Sequence, residues 1–463
     1  MNILLCPLSD GGYLYPVIAA GRELGRRGHH VSVLGRSSAA PVAADAGLPF
    51  AAAEDFGGHQ GFSATWWGPH GAAQYRATVD AARACGADLL VTSVLCNGAL
   101  LAAETLDVPV VVVGLAAHLW DYRSGGDDEP HLGRTRRSRT EGCLEVYTAL
   151  REETGLAGRA GRWGDEPLLG DVLLLRGDPE LEYPGARLPE RVRHVGPLAW
   201  EPTPDPEEAA AVDDHLSRSG KPVVYVHLGR FFEGRTLWPR LNEAFTGGPF
   251  QAVVEQGRST DPQPAPGADI LTVRKRWMGP LVDRAGLVLS SGTSAPVLAA
   301  LLRGRPLALS PNGSEQPLLT GACVRAGVAL RFPNDRSVSA SALLESAWRD
   351  EGLRARAGVL GSRLAATDSA ARAADAVEQV AGRSPVLPAG RSPGLPAGRS
   401  PGLPAGRSPG LPAGRSPGLP ASTSPVPPAG TSAAAPPAAS TAPSAEAPVS
   451  LKENHEYALS SPR

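Results

Sequence analysis

Along residues 1–381, short uninterrupted apolar runs alternate with longer stretches that are apolar on one face only. In the first part of the chain the runs are NILLCPL (2–8), VSVLG (31–35), LLVTSVL (89–95), VPVVVVGL (108–115) and DVLLLRG (171–177). Between them lie helical patterns such as PVIAAGRELGRRG and GALLAAETLD. Val/Leu runs without polar alternation, separated by helices, are what a parallel sheet covered on both faces requires. A second set follows: PVVYVHLG (222–229), FQAVVEQG (250–257), ILTV (270–273), LVLSS (287–291) and PLALSP (306–311). It runs on into the helical LLESAWRDEGLRARAGVLGSRLAATDSAARAADAVEQVAG. The pattern predicts an α/β protein of two consecutive doubly wound domains, residues 1–205 and 206–382, joined near HVGPLAWEPTPDPEEAAAVDDHL. Ligands of such sheets bind beyond the carboxyl ends of the strands, so a cleft between the two domains is the expected site.

From residue 383 the pattern stops. The unit RSPGLPAG repeats with arginines at 383, 391, 399, 407 and 415, then decays into TSPVPPAGTSAAAPPAAS. Proline fixes its own torsion and lacks the backbone donor, so two prolines in every eight residues forbid both helix and ladder. Residues 383–463 are expected to be a disordered, partly polyproline-like tail. Such a tail reads as a dispensable extension, with contact to a protein partner as the alternative.

Composition narrows the class. The 463 residues are 42% hydrophobic, enough for a large core, and the formal charge of -2 supplies no whole-chain field for nucleic acid or an anionic membrane. Cys6, Cys85, Cys96, Cys143 and Cys323 are scattered and never spaced as CxxC, which argues against a disulfide framework and a zinc site. No apolar run approaches the roughly 20 residues that span a bilayer, and the N-terminal run is too short and lacks the basic start of a secretory signal. A soluble, cytoplasmic protein is expected.

Three loops follow apolar runs at the ends where ligands bind. The first, Ser9-Asp10-Gly11-Gly12-Tyr13, precedes a helix in which Pro16 suits the first turn. Its glycines permit close backbone approach to a ligand, and they equally suit a plain strand-to-helix turn. The second, Ser291-Gly292-Thr293-Ser294, ends LVLSS and opens a helix at Pro296. Small hydroxyls and free N–H groups at a positive helix end form an anion or phosphate site, although serine and threonine are also ordinary caps. In the third, Gly229-Arg230 ends a strand and Arg258 ends the next, where guanidinium groups suit a diphosphate. The chain has no GxxxxGK[ST], GxGxxG or HExxH signature. The near match GTSAP lacks the second glycine of a hydrolase nucleophile elbow.

Both halves resemble the family-1 glycosyltransferases of GT-B fold, in particular bacterial enzymes that decorate natural products of macrolide or polyketide type. The resemblance rests on Gly12, Pro16, ELGRRGHHVSVL, DVPVVVVG, HVGPL, PVVYVHLG, RWMGPLVDRAGLVLSSG, ALLRGRPLALSP, Glu315-Gln316 and CVRAGVALRF, in that order over residues 1–381. It implies two Rossmann-like domains facing a cleft, with the acceptor bound mainly in the first and a UDP- or TDP-linked sugar in the second. It implies no cofactor and no metal, and the chain offers no carboxylate cluster for one. By position, Trp277 falls where the family sets a residue against the nucleotide base, though tryptophan is mostly buried in any case. Ser291-Gly292-Thr293 matches the phosphate turn, with serine in place of histidine, and Glu315-Gln316 matches the pair that grips sugar hydroxyls.

Two departures concern catalysis. The family's general base is a histidine where this chain has Tyr13, and the aspartate that orients it is replaced by Ser93. Free tyrosine ionises near pH 10, about three units too high for a good base at neutrality. Asp10, His118 and Asp121 are the alternative candidates, each with a plain structural reading beside it. Arg230, where the family has a small hydroxyl, is a candidate to restore the positive charge lost at position 291. His59, Trp66 and His70 read as an acceptor-facing loop with aromatic walls. The expected activity is inverting transfer of a sugar to a small-molecule acceptor. A catalytically silent binding protein of the same fold, prompted by Tyr13 and Ser93, is the alternative, and a sugar-nucleotide epimerase is disfavoured by the acceptor-side resemblance.

Overall fold

The fold is taken from a computed structural model and is described for residues 1–53, 70–126, 129–229, 234–257, 264–313, 315–333 and 338–383. His59, Trp66, Arg230, Arg258 and residues 384–463 lie outside the described residues.

Two parallel sheets form the molecule's frame. The first contains β1 (Asn2–Leu5), β2 (His30–Arg36), β3 (Phe50–Ala53), β4 (Leu89–Ser93), β5 (Val110–Val113), β6 (Val172–Leu175) and β7 (Val192–His194), in the order β3-β2-β1-β4-β5-β6-β7. The second contains β8 (Val223–His227), β9 (Gln251–Glu255), β10 (Ile270–Val273), β11 (Leu287–Ser290), β12 (Leu307–Leu309) and β13 (Ala329–Arg331), in the order β10-β9-β8-β11-β12-β13. The strand order reverses once in each sheet, between β1 and β4 and between β8 and β11. Those reversals open the crevices in which doubly wound sheets hold ligands.

The apolar runs need cover on two sides, and they receive it. Leu4, Leu90, Val112 and Leu173 enter one core, while Ile3, Leu5, Val91, Val111 and Leu174 enter the core on the opposite face. In the second sheet Tyr225, Val253 and Val288 face one way and Val224, Val254 and Leu289 the other. Burying such a side chain stabilises the fold by about 1.5–3 kcal/mol. β7 and β13 break their short runs with an arginine, β3 is only the alanine-rich FAAA, and none of the three was legible in the pattern. All three are edge strands of three or four residues with partly open side chains.

Two features differ from expectation. The first helix spans Gly11–Arg26, so Pro16 lies inside it rather than at its opening, and the helical bond from residue 16 to the Gly12 carbonyl is missing. The last helix, Ser369–Arg383, follows the second sheet in sequence but packs on the first, where Ala373, Ala374 and Val377 join Val17 and Ile18 in one core. Arg27 fastens it by donating to Asp375 at 2.7 Å and Glu378 at 2.8 Å.

Candidate active site

At the first reversal, β1 leads through Ser9 and Asp10 into the Gly11–Arg26 helix. Asp10 takes the N-cap position in extended conformation without capping through its side chain. Gly12 faces open space, since a Cβ there would meet nothing within 4 Å. Tyr13 is 8% exposed and joins the core that includes Leu8, Val94 and Leu119. Ser93 does not orient a base. Its hydroxyl accepts the Leu8 N–H at 3.1 Å and lies 3.4 Å from Cys96 Sγ, which pins the loop backbone from beneath.

The alternative bases are placed unequally. His118 has no solvent exposure, and neither ring nitrogen has a hydrogen-bond partner among the described residues. Burial, followed by the nearby Arg136 charge, pulls its pKa down to about 3. The ring stacks 6.0 Å from Tyr122 and is fully buried. Asp121 is partly exposed, with its N–H on Thr140 Oγ1 at 3.1 Å. His70 stands at the N-cap of the Gly71–Cys85 helix.

At the second reversal, β11 ends in the turn Ser291-Gly292-Thr293 and the Ser294–Leu302 helix begins. Gly292 has φ +85°, and a Cβ on it would sit 2.5 Å from Thr320 Oγ1. Gly229, after β8, has φ +65°; its Cβ would lie 3.4 Å from His227 Nδ1 and 3.7 Å from Ser291 Oγ. Ser291 Oγ, His227 Nδ1, Gln316 Nε2 and Thr320 Oγ1 are all buried without a hydrogen-bond partner among the described residues. Buried polar groups are normally satisfied, so four orphans around one glycine turn mark a place where a polar ligand completes the bonding. Burial lowers the His227 pKa to about 4, so its ring is neutral and able to donate at neutral pH.

The remaining expected donor residues are placed as follows. Thr293 is the N-cap and makes no side-chain cap bond. Ser294 Oγ is engaged across the cleft, accepting the Ala116 N–H at 3.0 Å. Glu315 and Gln316 are 7% and 0% exposed, and Gln316 Oε1 accepts the Asn312 N–H at 2.7 Å. Trp277 is 5% exposed and packs in the second sheet's core, so its indole offers little open face to a base.

Sequence reasoning singled out neither His227, Thr320, Arg139 nor Arg176. His227 and Arg176 did carry a signal, since each is a polar residue closing an apolar run at the ligand end of a strand. Arg176 is 3% exposed and Arg139 4%. Burial pulls the Arg176 pKa down to about 10, with Tyr13 and then Glu315 resisting the fall. Arg139 is likewise lowered by burial, with Glu315 the largest opposing influence. Tyr13 and Glu315 thus favour the charged form of both buried guanidinium groups. Among the described residues no cluster of three His, Cys, Asp or Glu side chains is placed to hold a metal, and no helix is long and apolar enough to cross a membrane.

No family model matches the chain. The 4'-demethylrebeccamycin synthase of Lentzea aerocolonigenes is 25% identical over 252 residues, which are 50% of this chain and 58% of that protein. Among solved structures, the glycosyltransferase of kitacinnamycin superposes with a TM-score of 0.62 at 19% identity, covering 82% of this chain and 98% of that one. The calicheamicin glycosyltransferase CalG4 gives 0.59 at 21% identity, covering 84% and 99%. The glycosyltransferase VinC in complex with dTDP gives 0.58 at 16% identity, covering 83% and 100%. With two reversed parallel sheets matched over nearly the whole length of these structures, the chain has the GT-B fold and resembles the family-1 glycosyltransferases that act on natural products.

Proposed function

We propose that the chain is a glycosyltransferase that moves a sugar from a UDP- or TDP-linked donor to a hydroxyl of a small natural-product acceptor, with inversion at the anomeric carbon. The donor belongs to the half built on the second sheet and the acceptor to residues 1–205. The observation that carries this reading is the set of four unpartnered polar side-chain atoms around Gly292 and Gly229. The solved VinC complex with dTDP supports a nucleoside diphosphate as the completing ligand.

The acceptor oxygen attacks the anomeric carbon, the bond from that carbon to the diphosphate oxygen breaks, and its electron pair stays on the diphosphate. That charge develops at the N-terminus of the Ser294–Leu302 helix, beside Ser291 and the neutral donor His227. Fixed dipoles aimed at developing charge lower the barrier without reorganising. Glu315 and Gln316 offer an acceptor and donors to vicinal sugar hydroxyls. Stabilisation of the leaving group in this scheme comes from the protein's own donors.

Calorimetric titration with UDP and TDP tests the donor site, and incubation of the corresponding sugar nucleotides with acceptors under mass spectrometry tests transfer. Heat with one diphosphate and a hexose mass added to an acceptor are expected. A folded chain that binds neither diphosphate would overturn the reading.

A further inference from the structure

That mechanism leaves a buried cation unused and the acceptor's proton unassigned. The cation is Arg176, which closes β6 in the run DVLLLRG. Its Nε donates to the Gly114 carbonyl at 2.9 Å, whereas its Nη2 is buried and has no hydrogen-bond partner among the described residues. The side chain stands in the wall of a cavity of about 180 Å3 bounded by Gly11 and Pro16 of the first helix and by Ala295 and Leu298 of the helix after β11. Linker residues 197–201 close its remaining side. The cavity is smaller than the roughly 300–1,000 Å3 of a whole ligand site, so it suits a head group such as a single ring.

A guanidinium stays charged at neutral pH, and a buried charge calls for a partner of opposite sign. Tyr13 and Glu315 are the groups whose fields favour the Arg176 charge, Arg139 is a second buried cation acting on both, and Glu201 and Arg303 stand elsewhere in the cavity wall. Trp200 and Met278 add apolar wall, which strengthens any ion contact formed inside. Of the groups considered for the acceptor's proton, the Ser93 hydroxyl is committed to Leu8 and the His118 ring is buried, while the partly exposed Asp10 and Asp121 do not line this cavity.

We propose that Arg176 is the partner of an acidic acceptor hydroxyl bound as its oxyanion, so that this chain glycosylates phenols or enols on an oxygen already ionised, rather than aliphatic alcohols. The proposal rests on the transferase reading above. The acceptor's proton goes to solvent on binding. The oxyanion held by Arg176 then forms the bond to the anomeric carbon as the diphosphate departs with its electron pair. No side chain accepts a proton in the transition state.

The test uses the full chain and 4-nitrophenol, whose phenolate absorbs visible light, with whichever diphosphate binds. A cation in contact lowers an acid's pKa by about 1–3 units, so the bound probe is expected to ionise that far below the free one. Arg176→Met removes the shift and Arg176→Lys keeps part of it. On the unaltered chain, transfer to 4-nitrophenol is expected to exceed transfer to benzyl alcohol at least about 100-fold, the scale of removing one charge-stabilising donor. An unshifted probe, or equal transfer to both acceptors, overturns the proposal while leaving the transferase reading intact. Loss of diphosphate binding by the unaltered chain overturns the transferase reading instead, and the probe's ionisation still reports on Arg176. Diphosphate heat retained by Arg176→Met establishes that the variant is folded.

Discussion

Ser93 and Ser291 occupy corresponding points of the two sheets, at the strand that faces each reversal, and they are bonded in opposite ways. Ser93 is 1% exposed and satisfied at rest, holding Leu8 N–H and lying against Cys96. Ser291 has no exposure and no hydrogen-bond partner among the described residues. One hydroxyl belongs to the fold, and the other waits for something the fold does not contain. The same contrast runs through their surroundings. The first loop packs Tyr13 into a core, whereas the second gathers His227, Gln316 and Thr320 atoms that lack partners. Among the described residues the two loops therefore differ in how their serine hydroxyls are engaged.

The largest expected effect separates two glycines. Gly292→Ala places a Cβ 2.5 Å from Thr320 Oγ1 on a backbone with φ +85°. A left-handed alanine is strained by about 1–2 kcal/mol, and the turn must shift. Calorimetry should show diphosphate affinity reduced at least about tenfold, since 1.4 kcal/mol lost at the ligand is a factor of ten. Gly12→Ala meets nothing within 4 Å and lies in the first helix, so it should leave diphosphate affinity unchanged. Its melting temperature should stay level or rise, because alanine is favoured over glycine in helices by up to about 1 kcal/mol. Equal effects of the two substitutions on affinity would erase the distinction between the loops.

The two serines give the next test. Ser93→Ala strands a buried N–H, which costs about 1–3 kcal/mol, and denaturant titration should detect that loss with diphosphate affinity intact. Ser291→Ala removes a hydroxyl that has no partner in the free protein, so stability should be level or slightly higher. Its cost should appear in diphosphate affinity, at about 1.5 kcal/mol for a hydrogen bond to a charged group. A Ser291→Ala variant that is destabilised yet binds normally would make both serines structural.

How far these features could be read in advance depended on depth. Most of the ten legible strands stood out because burial on both faces forces an unbroken apolar run; β7 and β13 escaped as three-residue edge strands interrupted by arginine, and β3 as a short alanine run. Both reversal loops stood out through glycine, small hydroxyls and a following proline. His227 and Arg176 did not, because a single polar residue ending an apolar run also marks an ordinary strand boundary. The depth of His118 was hidden for a related reason: its neighbours Leu119 and Trp120 are 6% and 5% exposed, and nothing in the order GLAAHLWD says that the histidine is deeper still. Chain order also concealed the return of the Ser369–Arg383 helix to the first sheet.

Glu23 and Glu255, one in each half, respond to acid in opposite ways, which is the smallest effect expected. In the first half, hydrogen bonds from Arg26 and then Arg27 hold the Glu23 carboxyl down to about 2, and the same Arg27 carries the last helix through Asp375 and Glu378. A carboxyl lowered on folding contributes stability that is complete above its unfolded pKa of about 4.3 and is lost as the pH falls toward 2. In the second half, burial outweighs the bonds from the Lys275 and Gly257 N–H groups and raises the Glu255 carboxyl. A raised carboxyl works in reverse, since its contribution is present below the unfolded pKa and is lost as the pH rises through the folded one. Thermal melting between pH 3 and pH 7 should therefore lose part of its acid-side slope in Glu23→Gln, by no more than the roughly 1 kcal/mol of a solvent-exposed pair. Glu255→Gln should steepen that slope by removing a group that favours the folded state in acid. Parallel shifts in both variants would show that the two carboxyls share one environment, and the electrostatic contrast between Glu23 and Glu255 would fail.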